Sequence, residues 1–339
     1  MESFLKQMPK VELHLHIEGA MTAELMLQLA HKNNIILPYP TLSALEEAYK
    51  FDSMDDFLEL YFLGCQVLQS KEDFFTLTWH YLSQCAENNV MHCEIFFDPQ
   101  AHISRGVTLE TQIAGISEAL KKAENEYQIS HQLIACFLRD KPQPQAMQLL
   151  EELANYRNTI HAIGLDSTEP GYPPLLFREV FARARQLDFK AVAHAGESAG
   201  PEYIWQALTQ LQVDRIDHGV SATQDSTLVE HLLNHRIPLT MCPISNVKLG
   251  VVDNIAEHNI AQLLRQGLCI TINSDSPSYF NADIFDNLLA VQQAHHLTHD
   301  ELGQLTLNAI EASFATTERK ADMISIMMSY LGHDDEFAD

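Results

Sequence analysis

Residues 11–17 read VELHLHI, a short apolar segment in which His14 and His16 stand two positions apart. Alternate residues of a β-strand project from the same face, so a strand here places both imidazoles beside each other. Two neighbouring histidines inside a ring of strands are typical of a metal site. They are also compatible with two core histidines bonded to backbone carbonyls, and the pair alone leaves both interpretations open.

This segment is the first of eight strand-like segments. The other seven are at 90–98, 131–138, 161–166, 190–195, 215–219, 237–242 and 268–275. Helical patterns occupy 108–126, 143–156, 174–187, 201–211 and 225–235, and a larger helical insertion covers about 22–88. The alternation predicts an α/β fold, a (β/α)8 TIM barrel with a helical insertion after the first strand, in one domain spanning 1–339. A doubly wound open sheet is the structural alternative.

Polar residues at the ends of these strands favour the barrel. His194 and Glu197 end strand five in the tetrapeptide HAGE, His218 ends strand six in DHG, and Asp275 ends strand eight in NSDSP. The carboxyl ends of all strands in a parallel barrel meet at one mouth. These residues would then join the histidine pair of the first strand in one site, a coincidence that core packing does not explain.

The overall charge restricts the partners of the chain. Its 339 residues carry 46 acidic and 21 basic side chains, a formal net charge of -25. A field of this sign repels phosphates, so we expect a small neutral substrate and neither a nucleic acid nor a membrane as partner. The first residues lack the pattern of a secretory signal, and the six cysteines form no Cys-x-x-Cys pair. Both features predict reduced thiols in a cytoplasmic protein.

The residues expected at the mouth suit hydrolytic zinc chemistry. Three histidines and one aspartate form the kind of nitrogen and oxygen ligand set that zinc prefers: His14, His16, His194 and Asp275. Zinc would leave a position for water, lower its pKa and provide hydroxide. Glu197 could then donate a proton to a ring nitrogen of the substrate, and His218 could orient or deprotonate the water. Strand four ends in GLDSTE, without a lysine that could bridge two metals, so we expect one zinc ion per chain.

Five motifs resemble those of a known family. PKVELHLHIEGA (9–20), HAGE (194–197), RIDHGV (215–220), CPISN (242–246) and NSDSP (273–277) are similar, in order and spacing, to motifs of the adenosine/adenine deaminase family of the amidohydrolase superfamily. The resemblance covers about residues 8–312. It implies the same ligands, with Glu197 as the proton donor to purine N1 and His218 as the residue that handles the attacking water.

The loop after strand four resembles the adenine deaminase branch of that family. It reads DSTEPGYPP (166–174) and carries Glu169 where adenosine deaminases usually have glycine. HIEG (16–19) and GPEYIWQAL (200–208) also resemble this branch. The resemblance implies that adenine is hydrolysed to hypoxanthine and ammonia by attack of zinc-bound hydroxide at C6. Glu169 would then accept the proton of an unsubstituted N9–H and obstruct a ribose, unless it is only a solvated loop carboxylate or a helix-start residue.

One position departs from the family pattern. Ser276 stands where the family usually has a second aspartate, the residue expected to bind purine N7. Serine can donate a hydrogen bond to the N7 lone pair, so we expect Ser276, together with Gly19 and Ser167, among the substrate-binding residues. The change leaves adenosine, an N6-substituted purine or another aminated heterocycle open as substrates. A different class, a non-catalytic relative that binds purine or metal, is disfavoured because Glu197 would have no use in it.

Overall fold

Eight parallel strands follow one another around a ring in chain order. The computed structural model describes residues 1–51 and 53–332. Its strands are β1 (Lys10–His16), β2 (Val90–Phe97), β3 (Ser130–Leu138), β4 (Ile160–Asp166), β5 (Lys190–Ala195), β6 (Arg215–His218), β7 (Leu239–Met241) and β8 (Ile270–Ile272). Each strand pairs in parallel with the next one along the chain. An open doubly wound sheet reverses its strand order at a switch point. That alternative is therefore wrong, and the (β/α)8 barrel is confirmed.

The ring closes between β8 and β1 through a few contacts rather than a regular ladder. Asp275, just beyond β8, forms an isolated parallel bridge with Leu15. The His16 N–H donates to the Asp275 carbonyl (2.9 Å), and the Asp275 N–H donates to the His14 carbonyl (3.1 Å). Three of the four residues predicted to bind the metal therefore form this seam with their own backbone.

β8 is shorter than the predicted segment 268–275. It ends at Ile272, and the side chain of Asn273 then takes over the pairing by accepting the Leu13 N–H (2.8 Å). Asp275 has a φ of +64°, a left-handed conformation that interrupts the regular pairing of a strand. The strand prediction failed at this end because the site requires a turn where the apolar pattern continues.

Helices connect the strands on the outside of the ring. They are α1 (Glu2–Gln7), α2 (Ala23–Lys32), α3 (Leu42–Ala48), α4 (Met54–Cys65), α5 (Lys71–Glu87), α6 (Pro99–Ile103), α7 (Leu109–Tyr127), α8 (Gln143–Leu153), α9 (Arg178–Gln186), α10 (Pro201–Gln206), α11 (Ser226–Asn234), α12 (Pro243–Lys248), α13 (Ile260–Arg265), α14 (Pro277–Phe280), α15 (Ile284–His295), α16 (His299–Ala312) and α17 (Thr317–Leu331). Short 3₁₀ turns span Glu18–Ala20, Ala154–Tyr156, Pro174–Phe177, Val220–Gln224 and Ile255–Glu257, and a π turn spans Ala207–Leu211. The predicted helical patterns at 108–126, 143–156, 174–187, 201–211 and 225–235 coincide with these elements to within three residues.

The insertion between β1 and β2 consists of α2, α3, α4 and α5, as the pattern over about 22–88 predicted. A serine or threonine hydroxyl caps each helix by accepting a backbone N–H of the first turn: Thr22, Thr41, Ser53 and Ser70. α5 adds a capping box, in which the Asp73 carboxylate accepts the Ser70 N–H. These caps fix where each helix begins, and hence the position of α4 over the mouth.

Side chains fill the interior of the ring below the mouth. All seven residues of β1 are buried, including His14 and His16, as expected for parallel strands covered on both faces. An apolar layer lies next to them: Phe96, Ile134, Cys136, Ala162 and Val192. The Phe96 ring lies 5.1 Å from the ring of His14, so this layer forms the floor of the site. Within the described residues, no helix is both long enough and apolar enough to cross a bilayer.

Candidate active site

The chain turns sharply as it leaves the strands that carry the predicted site. Ser167 follows β4, His218 ends β6 and Asp275 follows β8, with φ angles of +70°, +65° and +64°. A left-handed backbone costs of order 1–3 kcal/mol at a non-glycine residue, and such residues cluster at functional sites. After β5 the same turn is made by Gly196 (φ +72°), for which this conformation is unstrained. The turns bring side chains of separate strands to one mouth.

Four imidazoles and one carboxylate meet there. His16 Nε2 lies 3.1 Å from His194 Nε2, and Asp275 Oδ1 lies 3.7 Å from His16 Nε2 and 3.9 Å from His14 Nε2. The His218 ring lies 4.6 Å from the ring of His14. All five residues are buried. Two sets each have their ligand atoms within 4.8 Å of one another, namely His14, His16 and Asp275, and His14, His194 and His218.

This cluster fits a cation. His14 Nε2 is buried and has no hydrogen-bond partner among the described residues. Burial lowers the pKa of His14, His16 and His194, and neighbouring imidazoles lower those of His14 and His194 further. The three rings are therefore neutral, the form that binds metals. Burial also raises the pKa of Asp275 to about 7, and a bound cation would favour the ionised carboxylate.

A second layer of polar groups fixes the orientation of two of these rings. His14 Nδ1 lies 3.1 Å from Thr240 Oγ1 and 3.2 Å from the Thr240 carbonyl. The Thr240 hydroxyl donates to Asp217 Oδ1 (2.8 Å), and Asp217 Oδ2 lies 3.5 Å from His194 Nδ1. Partners of this kind direct the other ring nitrogen towards a metal and raise its basicity. Asp217 is part of the RIDHGV motif (215–220), but no role for it was predicted from the sequence.

The other two metal-binding candidates are held in a similar way. Asp166 Oδ2 lies 3.5 Å from His16 Nδ1. The Ser245 hydroxyl donates to Asp275 Oδ2 (2.6 Å), which leaves Oδ1 on the side of the histidines. Each of the four residues predicted to bind the metal thus has a polar partner behind it.

Glu197 and His218 are joined through an amide that the sequence interpretation missed. Asn246 Nδ2 lies 3.3 Å from Glu197 Oε1 and 3.3 Å from His218 Nδ1, and His258 Nε2 lies 3.1 Å from Asn246 Oδ1. Burial raises the pKa of Glu197 well above its usual value, and the charges of Asp275 and other carboxylates raise it further. A glutamate in this environment is protonated near neutral pH and can act as an acid. The CPISN motif, which contains Asn246, was the available signal.

Glu169 is not where the sequence predicted it. Its carboxylate accepts the backbone N–H groups of residues 196, 197, 198 and 199, at 2.8, 2.9, 2.7 and 2.9 Å. Arg139 NH1 lies 3.6 Å from the same carboxylate and donates to the His194 carbonyl (3.0 Å). Glu169 is 1% exposed and does not line the cavity, so it is not a solvated loop residue. It holds the loop that carries Glu197.

A cavity opens beside the histidine cluster. Helix α4 covers it with Met54, Phe57, Leu58, Tyr61 and Phe62. The same helix also packs in the core, because Phe57 and Tyr61 are buried there.

The three remaining predicted substrate-binding residues differ in position. Ser276 and Ser167 line the cavity. The hydroxyl of Ser276 is buried and, apart from the carboxyl of the neighbouring Asp275, has no partner among the described residues. That of Ser167 donates to Asp140 Oδ1 (3.1 Å). Gly19 packs behind Ser276, and a Cβ at Gly19 would come within 2.7 Å of Ser276 Cα. Gly19 therefore affects the site indirectly, because the absence of a side chain leaves room for Ser276 beside it.

A group of buried acids lies on the opposite side of His16 from the cluster. Tyr61 donates to Asp98 Oδ2 (2.8 Å), and Glu18 Oε1 accepts the Asp98 N–H (3.1 Å). Burial raises the pKa values of Asp98 and Asp166, and the neighbouring carboxylates raise them further. Asp98 and Asp166 both line the cavity. The sequence interpretation missed Asp98, although it ends β2 as the other site residues end theirs.

Comparison with known proteins agrees with this arrangement. The family model described as adenosine deaminase matches residues 9–330, nearly the whole chain. The chain belongs to the adenosine deaminase family. An adenine deaminase of Vibrio parahaemolyticus is 48% identical over 321 residues, which is 95% of either chain. The resemblance stated from the motifs is confirmed, and so is the prediction of a hydrolytic deaminase.

Solved structures support the same family assignment. The crystal structure of an adenine deaminase from Arthrobacter aurescens superposes with a TM-score of 0.94 at 41% identity, covering 96% of this chain and 99% of that one. An amidohydrolase from Burkholderia ambifaria, solved with bound zinc, superposes with a TM-score of 0.90 over 98% of this chain and 94% of that one. At 23% identity the second likeness concerns the fold alone.

Proposed function

We propose that the chain hydrolyses adenine to hypoxanthine and ammonia with one bound zinc ion. The observation that carries the proposal is the position of Glu197. This buried acid shares the amide of Asn246 with His218, and His218 in turn lies against the histidine cluster. A proton donor, a proton acceptor and a metal site therefore face one cavity, as hydrolytic removal of an amino group requires.

We assign His14, His16, His194 and Asp275 as the zinc ligands. Three neutral imidazoles and one carboxylate match the preference of zinc for nitrogen and oxygen ligands and leave room for a further ligand. When bound, zinc lowers the pKa of a water molecule towards neutrality and so supplies the nucleophile. Asp217, Thr240, Asp166 and Ser245 hold these ligands from behind.

Glu197 and His218 divide the proton transfers between them. Glu197 gives its proton to N1 of the base, which makes C6 more electrophilic, and this proton stays on N1 in hypoxanthine. His218 takes the first proton of the attacking water and returns it to the amino group, which leaves as ammonia. The second water proton, from the new C6 hydroxyl, restores Glu197. The raised pKa of Glu197 supports its role as the acid in the first step.

Adenine is the base that the surroundings favour. Adenine deaminases of several bacteria are 44 to 48% identical to this chain over most of its length. The cavity has an apolar roof suited to a planar ring, and the Ser276 hydroxyl is available to donate to N7. Loss of the usual carboxyl contact weakens binding by about 1–3 kcal/mol. We therefore expect a higher KM for adenine in this chain than in relatives with a second aspartate.

The first experiment measures ammonia release and the loss of adenine absorbance with the purified, zinc-loaded protein. Efficient turnover of adenine supports the proposal. Parallel assays with adenosine and N6-methyladenine test the other substrates that the Ser276 position leaves open, and faster turnover of either would contradict the choice of adenine. Glu197→Gln separates the two roles, because it should abolish turnover and keep one zinc per chain. Glu202→Gln, an exposed glutamate in the following helix, is the matched control.

We further propose that the enzyme works in the cytoplasm as a single domain with the purine as its natural ligand. All six cysteines are free and buried, a pattern suited to a reducing compartment. The excess of acidic residues would weaken any contact with nucleic acid or an anionic membrane.

A further inference from the structure

The placement of Glu169 removes the predicted contact to the edge of the base that carries N9. Its carboxylate is used by four backbone N–H groups and does not line the cavity. A free purine still presents a ring N–H at N9 that needs an acceptor once water is excluded. Another group of the cavity has to accept it.

The reaction determines which edge of the base has no assigned partner. With C6 at the metal ligands, N1 at Glu197 and N7 at Ser276, three points orient the planar ring. The opposite edge, with N3 and N9, then faces the part of the cavity that these residues do not line. The polar side chains left in the lining are Tyr61, Asp98, Asp166 and Ser167.

Three of these four side chains are already engaged. The Tyr61 hydroxyl donates to Asp98 (2.8 Å), and the Ser167 hydroxyl donates to Asp140 (3.1 Å). Asp166 Oδ2 lies 3.5 Å from His16 Nδ1, and the thiol of Cys136 also contacts the Asp166 carboxyl, which therefore has partners on two sides. Asp98 has fewer partners and is the better candidate.

Hydrogen bonds fix the position of Asp98 and leave one of its carboxyl oxygens, Oδ1, able to accept another. Tyr61 binds Oδ2, and the Asp98 backbone N–H donates to Glu18 Oε1 (3.1 Å). Oδ1 is buried, and apart from the neighbouring carboxyl of Asp166 no described residue offers it a donor. A carboxylate has about four lone-pair sites, so Asp98 can accept a further N–H. The residue is 2% exposed, so water does not compete freely.

We propose that Asp98 accepts the ring N–H of the unsubstituted purine and thereby selects the free base over bases substituted at N9. The inference rests on the proposed function, because the reaction supplies the orientation of the ring. A substituent at N9 removes the donor and leaves a buried carboxylate unpaired. Sites built to bind a substrate N–H reject analogues without it by factors of about 10⁴.

The test compares kcat/KM for adenine and 9-methyladenine in the zinc-loaded wild type, Asp98→Ala and Tyr61→Phe. The methyl group removes the N–H with a minimal increase in size. We expect the wild type to prefer adenine by about 10³-fold or more. Asp98→Ala should lower kcat/KM for adenine at least 100-fold, change the value for 9-methyladenine less than 3-fold and retain zinc. Tyr61→Phe keeps the Asp98 carboxylate and should preserve the preference. If the alanine variant does not fold, Asp98→Asn replaces it, because asparagine keeps the shape of the side chain. Its neutral acceptor should lower the preference for adenine over 9-methyladenine about 10-fold.

The outcomes separate this inference from the proposed function. Failure of the wild type to turn over adenine would overturn both. Normal turnover of adenine, combined with an equal fall for both substrates in the Asp98 variants, would overturn the inference alone and make Asp98 a structural residue. Equal kcat/KM values of the wild type for 9-methyladenine and adenine would also overturn the inference alone.

Discussion

The carboxylate of Glu169 lies directly under the backbone of Glu197, whose N–H donates to Glu169 Oε2 at 2.9 Å. Glu169 also accepts three other N–H groups of the same loop. The two glutamates thus act together, because one fixes the loop and the other carries the proton.

Glu169→Gln should lower kcat while leaving the choice of substrate unchanged. The amide of glutamine directs an N–H at backbone donors, and an unsatisfied buried donor costs about 1–3 kcal/mol. We expect kcat to fall about 10- to 100-fold, with the preference for adenine over 9-methyladenine unaltered. Steady-state kinetics on both substrates check this. A change in preference without a fall in kcat would restore the sequence-based role of Glu169 as a substrate contact.

Asn246→Ala should lower kcat and displace the alkaline limb of the pH profile. Asn246 donates to Glu197 and thereby lowers the pKa of that carboxyl, against the larger effect of burial. Activity requires protonated Glu197, so it is lost as the pH rises through this raised pKa. Without the amide the pKa rises further, and the limb moves to higher pH. We expect kcat to fall about 100-fold. Asn254→Ala, at an exposed asparagine of the same region, is the control, and an unmoved limb in Asn246→Ala would contradict the assignment.

Asp217→Asn should weaken zinc binding. The Asp217 carboxylate accepts from Thr240 (2.8 Å) and lies 3.5 Å from His194 Nδ1, although it is not itself a proposed ligand. Loss of such a partner typically lowers metal affinity 10- to 100-fold. Titration of the metal-free protein with zinc against a competing chelator measures the change. The control is Asp214→Asn, three residues earlier in the chain, which should bind zinc as the wild type does. Equal zinc affinities of the wild type and both variants would show that Asp217 does not support the zinc ligands.

The ion pair of Glu94 and Arg215 should make the barrel sensitive to acid. Burial raises the pKa of Glu94, but the Arg215 charge (2.5 Å away) and hydrogen bonds lower it more, to about 2. The folded pKa lies below the unfolded value, so the stabilisation is complete above pH 4.5 and is lost as the pH falls towards 2. It amounts to about 3 kcal/mol.

Urea unfolding of metal-free protein at pH 7, 5 and 3 measures this effect. The double variant Glu94→Leu, Arg215→Met should lose less stability between pH 5 and 3 than the wild type. Replacing the exposed pair Glu47 and Lys50 in the same way should leave the pH dependence unchanged. Identical pH dependence in all three proteins would show that the buried pair has no such effect.

Much of this structure follows from local patterns. The eight strands could be located because parallel strands buried on both faces are continuous apolar segments, as in β3 and β5. That these side chains meet could be predicted because His16, His194, His218 and Asp275 stand at or next to the carboxyl ends of strands, and the barrel brings those ends together. Periodicity and topology suffice for both conclusions.

The features that could not be predicted from the sequence depend on contacts between segments that are distant in the chain. A glutamate in the loop after β4 gives no sign that it will bind backbone N–H groups of the loop after β5, so this contact of Glu169 could not be predicted. Asp98 was overlooked because an aspartate before proline is common at a helix start. The position of α4 over the cavity depends on its packing as a whole, which composition does not reveal.

The seam between β8 and β1 ties the two ends of the chain together at the metal. Leu13 and Asn273 meet there across 260 residues of sequence. Beside them the Asp275 carbonyl accepts the His16 N–H, and the Asp275 N–H donates to the His14 carbonyl. Contacts this distant form only after most of the chain has been ordered. An ion bound by residues of β1 and by Asp275 would stabilise this seam, because the two strand ends could not separate without releasing the ion. Hydrogen exchange at the amides of His16 and Asp275 should therefore slow sharply on zinc loading, whereas strands on the far side of the ring change little.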